Sequence, residues 1–345
     1  MQYIDVVIDN KSANTDALYT YKAPDDVTAG AKLTVPFSRR SSVEAYCVET
    51  GVTPAIDDSK IKEIFSFDPE RSLSREMVDT ALWLRRRCGT KYIDGFKMFA
   101  ADGKREKALK RREFEGAEPG YELTEAQAEA AGRICSSIKK GESRTFLIKG
   151  VTTSGKTEVY MHAVAEALAL GRTAIVLLPE IALAAQVADR FRERFGSGMI
   201  ATLHSRLKKS ERLSEWLRIR RGEARIVIGA RTSVFAPLDN IGIIVIDEEH
   251  ESTYKSDHNP KYETVDVAYK RASLSGAVLV LGSATPSVTS YYRAKSGIYE
   301  LIEMNERIGE SRMPVLETVD MRKEAVSGNT GVISRELAWN IDRSL

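Results

Sequence analysis

The sequence predicts an α/β protein in which helices cover both faces of a parallel sheet, with a small β-rich domain in front of it. Six apolar runs of strand length recur between residues 145 and 283, and several of the segments between them have helical periodicity. Continuous apolar strands that alternate with helices are typical of a parallel sheet buried on both faces. The pattern before residue 70 is different, and it predicts the separate domain.

Residues 1–70 alternate short β-branched or aromatic runs, such as "YIDVVI" and "KLTVPF", with turn residues. Because they contain no long helical period, they predict a small β-rich module. Residues 71–120 begin with a stretch typical of one or two helices and continue into the basic run 104–112. We interpret that run as a linker or exposed helix, and a solvated charged face is its simplest interpretation.

Composition limits the class of protein. The chain has 345 residues, 43% of them hydrophobic and 29% charged, which is enough for two or three domains. A formal net charge of +2 is too small to attract the whole protein electrostatically to DNA or membranes. The three cysteines form no CxxC pair, which argues against a zinc or disulfide framework and favours a cytoplasmic setting. No uninterrupted apolar run reaches the ~18 residues of a membrane span, and no leader is recognisable.

A phosphate-binding motif follows the first strand of the predicted sheet. The letters "GVTTSGKT" satisfy the pattern GxxxxGK[ST] between an apolar run and a helix start, which is the context that this motif needs. The glycines let backbone amides surround phosphate, the lysine reaches the β and γ phosphates, and the threonine can bind Mg²⁺. A chance glycine loop is the alternative. The predicted ATP-binding residues of the motif are Gly150, Val151, Thr152, Thr153, Ser154, Gly155, Lys156 and Thr157.

Acidic residues follow the strand "IGIIVI". A carboxylate at the end of a buried strand needs a partner, and a magnesium ion bound by Thr157 would supply one for Asp247. Glu248 is then predicted to orient and deprotonate the attacking water, so Lys156, Asp247 and Glu248 are the predicted catalytic residues. His250 is predicted to relay the state of the nucleotide to bound polymer, and a packed or capping histidine is the alternative.

The next strand ends in "GSATP". Ligands of a parallel sheet lie at the carboxyl ends of its strands, so this sequence belongs to the same predicted site. Ser283, Ala284 and Thr285 are predicted to couple the acids to DNA, although "GSATP" alone would be an ordinary turn. Together the three motifs resemble the first motor lobe of a superfamily 2 helicase, which is a RecA-like P-loop NTPase lobe. That lobe is assigned to residues 121–310.

Longer stretches, including "LLPEIALAAQVADRFRERFG" and "IGIIVIDEEHESTYK", resemble the primosomal protein N′ (PriA) family of replication-restart DNA helicases over residues 121–320. The β-rich module is similar to the domain with which this family recognises the 3′ end of a nascent strand. The resemblance implies ATP-dependent 3′-to-5′ DNA unwinding, with ATP and Mg²⁺, and primosome assembly at stalled forks. The implied partners are DNA forks, single-stranded DNA, single-strand-binding protein and other primosome proteins, with no membrane.

The resemblance also assigns individual residues. Gln127 stands at the family's adenine-contacting glutamine, and a surface glutamine is the alternative. An aromatic-rich loop, represented by Tyr254, His258 and Tyr262, would stack on bases or instead pack against the protein. Pro179, Glu180 and Gln186 match a segment that follows the DNA backbone. The implied DNA-binding residues are Gln186, Arg231, Thr232, Ser233, Tyr254, Tyr262, Arg39 and Arg40.

Several features depart from the family. Thr20 stands where an acid is common, and the interval 71–120 is too short for the family's winged-helix domain. Residues 311–345 match the start of a connection to a second motor lobe, and neither that lobe nor the family's zinc ligands are in the sequence. We therefore expect a truncated form that hydrolyses ATP poorly, because the second lobe supplies arginines to the transition state. The alternative is a non-catalytic fork-binding module with a nucleotide-sensitive lobe. A P-loop kinase is less well supported, since no acceptor pocket is marked.

Overall fold

The computed structural model describes residues 1–10, 12–37, 40–101, 103, 114–116, 122–151, 154–179, 181–204, 206–306 and 316–344. The chain divides into two compact units, Met1–Glu306 and Arg307–Leu345. The first unit contains a five-stranded and a seven-stranded sheet, so the predicted fold class is confirmed. No helix in the described part of the chain is long and apolar enough to cross a membrane.

The amino-terminal sheet is antiparallel, with strand order β2-β1-β4-β3-β5. Alternate side chains, such as Ile4, Val6 and Leu33, point to one face and form a core of their own. This alternation is the period of a half-buried strand, and it is why short β-branched runs predicted this module. The strands are β1 (Gln2–Ile8), β2 (Tyr19–Ala23), β3 (Lys32–Phe37), β4 (Arg40–Thr50) and β5 (Ser66–Asp68).

Two helices, α1 (Arg75–Cys88) and α2 (Tyr92–Phe99), join the two sheets. The ring of Phe96 on α2 stacks on Tyr46 of the amino-terminal sheet at a centroid distance of 5.5 Å. Leu84 and the other buried apolar residues of α1 belong to the same core as one face of the seven-stranded sheet. The helical pair therefore packs against both sheets within one unit.

The seven-stranded sheet is parallel throughout, with strand order β12-β6-β11-β10-β7-β9-β8. Six of its strands lie at the six apolar runs of the sequence, and the seventh, β12, was not predicted. The strands are β6 (Thr145–Gly150), β7 (Thr173–Leu177), β8 (Ile200–Leu203), β9 (Ile226–Gly229), β10 (Ile241–Ile246), β11 (Val278–Ser283) and β12 (Glu300–Met304).

Helices cover both faces of this sheet, which is why its strands read as continuous apolar runs. In β10, Ile243 and Val245 join the core on one face of the sheet, whereas Ile244 and Ile246 join the core on the opposite face. All strands point the same way, so the segments after β6, β10 and β11 meet at one edge. The remaining helices are α3 (Glu125–Lys140), α4 (Lys156–Ala169), α5 (Ile181–Phe195), α6 (Lys209–Arg220), α7 (Thr264–Ser275) and α8 (Val288–Lys295), with α9 (Met321–Val326) and α10 (Arg335–Ser344) in the second unit.

A buried ion pair ties the helical segment to the seven-stranded sheet. Arg271 of α7 is fully buried and donates to both carboxylate oxygens of Glu76 on α1, at 2.8 and 3.0 Å. Its other amino group donates to the carbonyl oxygens of Val234 (2.7 Å) and Ala236 (2.9 Å). This guanidinium therefore joins three segments of the chain.

Candidate nucleotide site

The loop between β6 and α4 is wound tightly. Gly155 has φ of +76°, a left-handed conformation that glycine adopts without strain, immediately before α4. A Cβ on Gly150 would lie 2.7 Å from Ser154 Oγ, so this position needs glycine. Ser154 Oγ is buried and has no hydrogen-bond partner among the described residues. Thr152 and Thr153 lie outside them. A phosphate oxygen at this loop would give the Ser154 hydroxyl an acceptor.

Lys156 directs its ammonium toward the acids that follow β10. Its Nζ donates to the carbonyl oxygen of Gly150 at 2.9 Å and lies 4.0 Å from Glu248 Oε1. The side chain is 8% exposed, so its charge acts in a largely water-free environment. Thr157 follows in the first turn of α4, where free backbone amides favour anions.

Two other predicted ATP-binding residues have partners within the protein. Gln127 is 1% exposed; its Nε2 donates to Ser154 O at 3.0 Å, and its Oε1 accepts from Thr124 N at 2.9 Å. The surface-glutamine alternative is therefore excluded, and the adenine contact stays a prediction. The backbone amide of Val151 donates to Met304 O of β12 at 3.2 Å. This amide is thus hydrogen-bonded to the neighbouring strand.

Asp247 is held by two tyrosines. The hydroxyl of Tyr160, on α4 one turn after Lys156, donates to Asp247 Oδ1 at 3.0 Å. The hydroxyl of Tyr254 donates to the backbone carbonyl of Asp247 at 2.8 Å. Burial and the neighbouring charge of Glu248 raise the pKa of Asp247, whereas the hydrogen bond from Tyr160 lowers it. A buried carboxylate with a raised pKa gains from a cation beside it.

The buried charge of Asp247 suits a magnesium ion, and the pairing of Thr157 with Asp247 as its ligands stays a prediction. No group of three or more His, Cys, Asp or Glu side chains among the described residues is arranged to hold a metal ion alone. Mg²⁺ usually takes one or two protein ligands and completes its shell with phosphate and water, so these two residues suffice. When bound, the ion neutralises charge on the phosphates.

Glu248 has φ of +47°, which is unusual for a residue with a side chain. The left-handed conformation costs about 1–2 kcal/mol in a non-glycine residue, and it persists where the surroundings enforce it. Besides its contact with Lys156, Glu248 places Oε2 3.6 Å from His250 Nδ1. The carboxylate is therefore held between two nitrogen groups at the mouth of the loop, where a water-activating base is needed.

The segment after β10 is bonded to the segment after β11. His250 Nδ1 lies 2.7 Å from Ser283 Oγ, which also accepts a hydrogen bond from the backbone amide of Thr285 at 3.0 Å. Ser283 is fully buried, Ala284 is half-buried and Thr285 is exposed. The structure thus brings His250 and "GSATP" together, and a role in coupling stays a prediction.

The two tyrosines of the predicted base-stacking loop are buried. Tyr254 and Tyr262 are 3% and 5% exposed, and the ring of Tyr262 packs edge-on against Phe235 at 5.0 Å. We correct the stacking prediction for these two rings, because neither presents a free face to a base. Ser233 is also buried, and its hydroxyl donates to Leu203 O at 3.0 Å. Its predicted DNA contact is corrected in the same way.

The other predicted DNA-binding residues differ in their exposure. Arg231 donates to the backbone carbonyls of Thr253 and Lys255, so it anchors the loop that carries Tyr254. Gln186 and Thr232 are exposed, as is His258 of the aromatic loop, so their DNA contacts stay predictions, whereas Arg39 and the side chain of Arg40 lie outside the described residues.

The sequence analysis missed two residues of the site, Tyr160 and Glu249. Tyr160 lies four positions after Lys156 and so faces the same side of α4, which is a signal that the spacing carries. A Cβ on Gly282 would lie 1.7 Å from the Tyr160 hydroxyl, so the glycine of "GSATP" makes room for this contact. Glu249, the third acid after β10, is buried.

We expect Tyr160→Phe to weaken Mg²⁺-dependent nucleotide binding at low pH, by up to about tenfold for each unit by which the pKa of Asp247 rises. Without the hydroxyl, the pKa of Asp247 rises further, so protons compete with the metal at a higher pH. The loss of affinity should therefore grow as the pH falls. Titration of Mg²⁺ at several pH values measures this, with the exposed Tyr292→Phe as control. An identical pH dependence in both variants would contradict the assignment.

Comparison with known families agrees with the geometry. Residues 124–293 match the DEAD/DEAH box helicase family. Residues 5–100 match the 3'DNA-binding domain (3'BD) family. Fold and site therefore define the class: a helicase ATP-binding lobe preceded by a domain for DNA 3′ ends.

Curated relatives identify the family within this class. The chain is 44% identical to replication restart protein PriA of Bacillus subtilis (strain 168) over 67% of this chain and 29% of the relative. It is 34% identical to replication restart protein PriA of Treponema pallidum (strain Nichols) over 92% of this chain and 50% of the relative. A solved structure of RecG bound to a three-way DNA junction is 24% identical over 56% of this chain and 25% of that one, with a TM-score of 0.43. The chain belongs to the replication restart protein PriA family and spans half or less of the length of these two relatives.

Proposed function

We propose that the chain forms the 3′-end-binding and first motor parts of an ATP-dependent 3′-to-5′ DNA helicase that restarts replication at stalled forks. The observation that carries this proposal is the meeting of Lys156, Asp247 and Glu248 at one edge of a parallel sheet. The match to a 3′-end-binding domain in the same compact unit supports DNA forks as the polymer.

The residues of the site take distinct roles in this proposal. Lys156 binds the β and γ phosphates, and the amides at the start of α4 surround them. Glu248 orients the attacking water and accepts its proton, because its carboxylate is fixed at the mouth of the loop. His250 and Ser283 connect this carboxylate to the "GSATP" segment. We propose that single-stranded DNA moves when that connection changes.

Family membership supports the partners that we propose. They are single-stranded DNA, forks, single-strand-binding protein and the other proteins of the primosome. A cytoplasmic setting agrees with the three cysteines, which are all free thiols in the structure.

The proposal is tested with the chain alone and with the chain joined to the second motor lobe of the Bacillus subtilis relative. We expect forks with a free 3′ hydroxyl to bind about tenfold more tightly than forks with a 3′ phosphate, because a recognised hydroxyl donates a hydrogen bond that phosphate cannot. Fork DNA should stimulate phosphate release only after the second lobe is joined, since that lobe completes the phosphate site. Fork binding without stimulated hydrolysis in the joined protein would favour the non-catalytic module.

A further inference from the structure

The third acid after β10 faces away from the first two. Glu249 is 5% exposed, and its carboxylate accepts hydrogen bonds from the first turn of α8. Ser287 donates through its backbone N (2.7 Å) and its Oγ (3.1 Å), and Ser290 donates through its Oγ (2.9 Å). The side chain is therefore bound to α8, while that of Glu248 stays beside Lys156.

The backbone explains why adjacent acids face different elements. The left-handed φ of Glu248 turns the chain sharply, and the next amide, that of Glu249, donates to Gly282 O of β11 at 3.0 Å. A residue with a side chain keeps this conformation only if neighbouring contacts hold it. The hydrogen bonds of the Glu249 carboxylate are the contacts that follow immediately after this turn.

The carboxylate suits the place where it lies. Ser287 is the N-cap of α8, and its Oγ accepts from Ser290 N at 3.2 Å while donating to Glu249. A negative charge at the start of a helix is favourable, and bonds to an ionised acceptor are stronger than neutral ones. Glutamine at this position keeps the volume of the side chain but removes its charge, and its NH₂ group has to donate to a serine hydroxyl that now donates to Glu249. The uncharged variant therefore weakens the contact without removing volume.

We propose that Glu249 is a positioning residue for Glu248: by binding the first turn of α8 it fixes the left-handed turn and so holds the Glu248 carboxylate beside Lys156. The role in hydrolysis rests on the function proposed above. The contact of Glu249 is separate from the hydrogen bond between His250 and Ser283, because its partners, Ser287 and Ser290, lie further along the chain, at the start of α8.

The position of the Glu248 carboxylate relative to Lys156 can be measured without catalytic turnover. A carbodiimide condenses a carboxylate with a nearby amine and is itself converted to a urea, so it joins Glu248 to Lys156 only while the two groups are adjacent. We expect this cross-link, quantified by peptide mass spectrometry, to fall about tenfold in Glu249→Gln, the ratio that corresponds to losing a charged hydrogen bond. The matched control is Glu142→Gln, whose carboxylate is 41% exposed and pairs with Arg144.

Kinetics in the chain joined to a second motor lobe give the second readout. Glu249→Gln should lower kcat about tenfold with KM for ATP unchanged, because Lys156 and the phosphate loop are untouched. Ser290→Ala, which removes one donor, should lower kcat less. Adding Ser290→Ala to Glu249→Gln should lower kcat little further, since both substitutions weaken the same contact.

An unchanged cross-link yield in Glu249→Gln overturns the proposal, as does absence of the cross-link in the unaltered chain. A matched loss of kcat, ATP affinity and thermal stability would mean a structural role only, which also overturns it. If Glu249→Gln does not fold, the ratio of the cross-link yield in Ser290→Ala to that in the unaltered chain decides between the same outcomes. A joined protein without ATP hydrolysis contradicts the proposed function, whereas the cross-link ratio still decides the role of Glu249.

Discussion

We expect Glu248→Gln to lower DNA-stimulated ATP hydrolysis about 10²–10⁴-fold, the usual contribution of a positioned general base. The amide keeps the size of the side chain and cannot accept a proton from water. It also removes a negative charge 4.0 Å from the Lys156 ammonium, so ATP affinity should be unchanged or slightly higher. Phosphate release in the chain joined to a second motor lobe, measured together with ATP binding, checks both expectations.

Lys156→Ala is the informative contrast. It removes the phosphate-binding cation, so affinity for ATP should fall together with turnover, whereas Glu248→Gln separates the two. Glu142→Gln serves as the surface control, since its carboxylate lies in an exposed ion pair. Wild-type turnover in Glu248→Gln would remove this residue from the catalytic role and leave Asp247 as the remaining predicted acid.

Glu76→Ala is expected to destabilise the chain by about 3–5 kcal/mol, the effect of breaking a buried ion pair by removing one partner. The side chain of Arg271 is 0% accessible to solvent, so water cannot replace the lost carboxylate as a partner for its charge. The carbonyls of Val234, Ala236 and Leu238 would be its remaining hydrogen-bond acceptors, and none of them carries a charge. Urea unfolding of the variant measures the change.

The control is Glu49→Ala, which breaks an ion pair with Arg75 in which both side chains are more than half exposed. Exposed pairs contribute about 0–1 kcal/mol, so this variant should unfold close to wild type. Glu76→Gln keeps an acceptor for Arg271 and should fall between the two. Equal stability of Glu76→Ala and Glu49→Ala would show that the helical segment does not depend on the Arg271 contact.

Five of the six strands predicted for the parallel sheet, β6, β7, β9, β10 and β11, have nearly all their side chains buried, because strands covered on both faces are unbroken apolar runs. Strand β12, "ELIEM", was missed for the opposite reason. It is an edge strand whose Glu300 and Glu303 pair with Arg133 and Lys149 at 2.7 and 3.1 Å. Only the pairing with β6 shows that these acids belong to a strand.

The aromatic loop shows a similar limit. Tyrosines that stack on bases and tyrosines that pack in a core look the same in a sequence, since both uses need a flat apolar ring with a polar tip. Tyr262 packs against Phe235, which in turn contacts Phe99 of α2 edge-on at 5.3 Å. This contact depends on residues that are far apart in the chain, so no local pattern carries it.

The sequence by itself determined the parallel sheet, the phosphate loop and the strand ends on which Asp247, Glu248 and "GSATP" lie, because these depend on local periodicity and on the common direction of the strands. Only the tertiary structure decided which way each acid faces. Glu248 turns to Lys156 and Glu249 to α8 because a left-handed backbone at one residue reverses the direction of the next, and contacts across the fold hold that backbone in place.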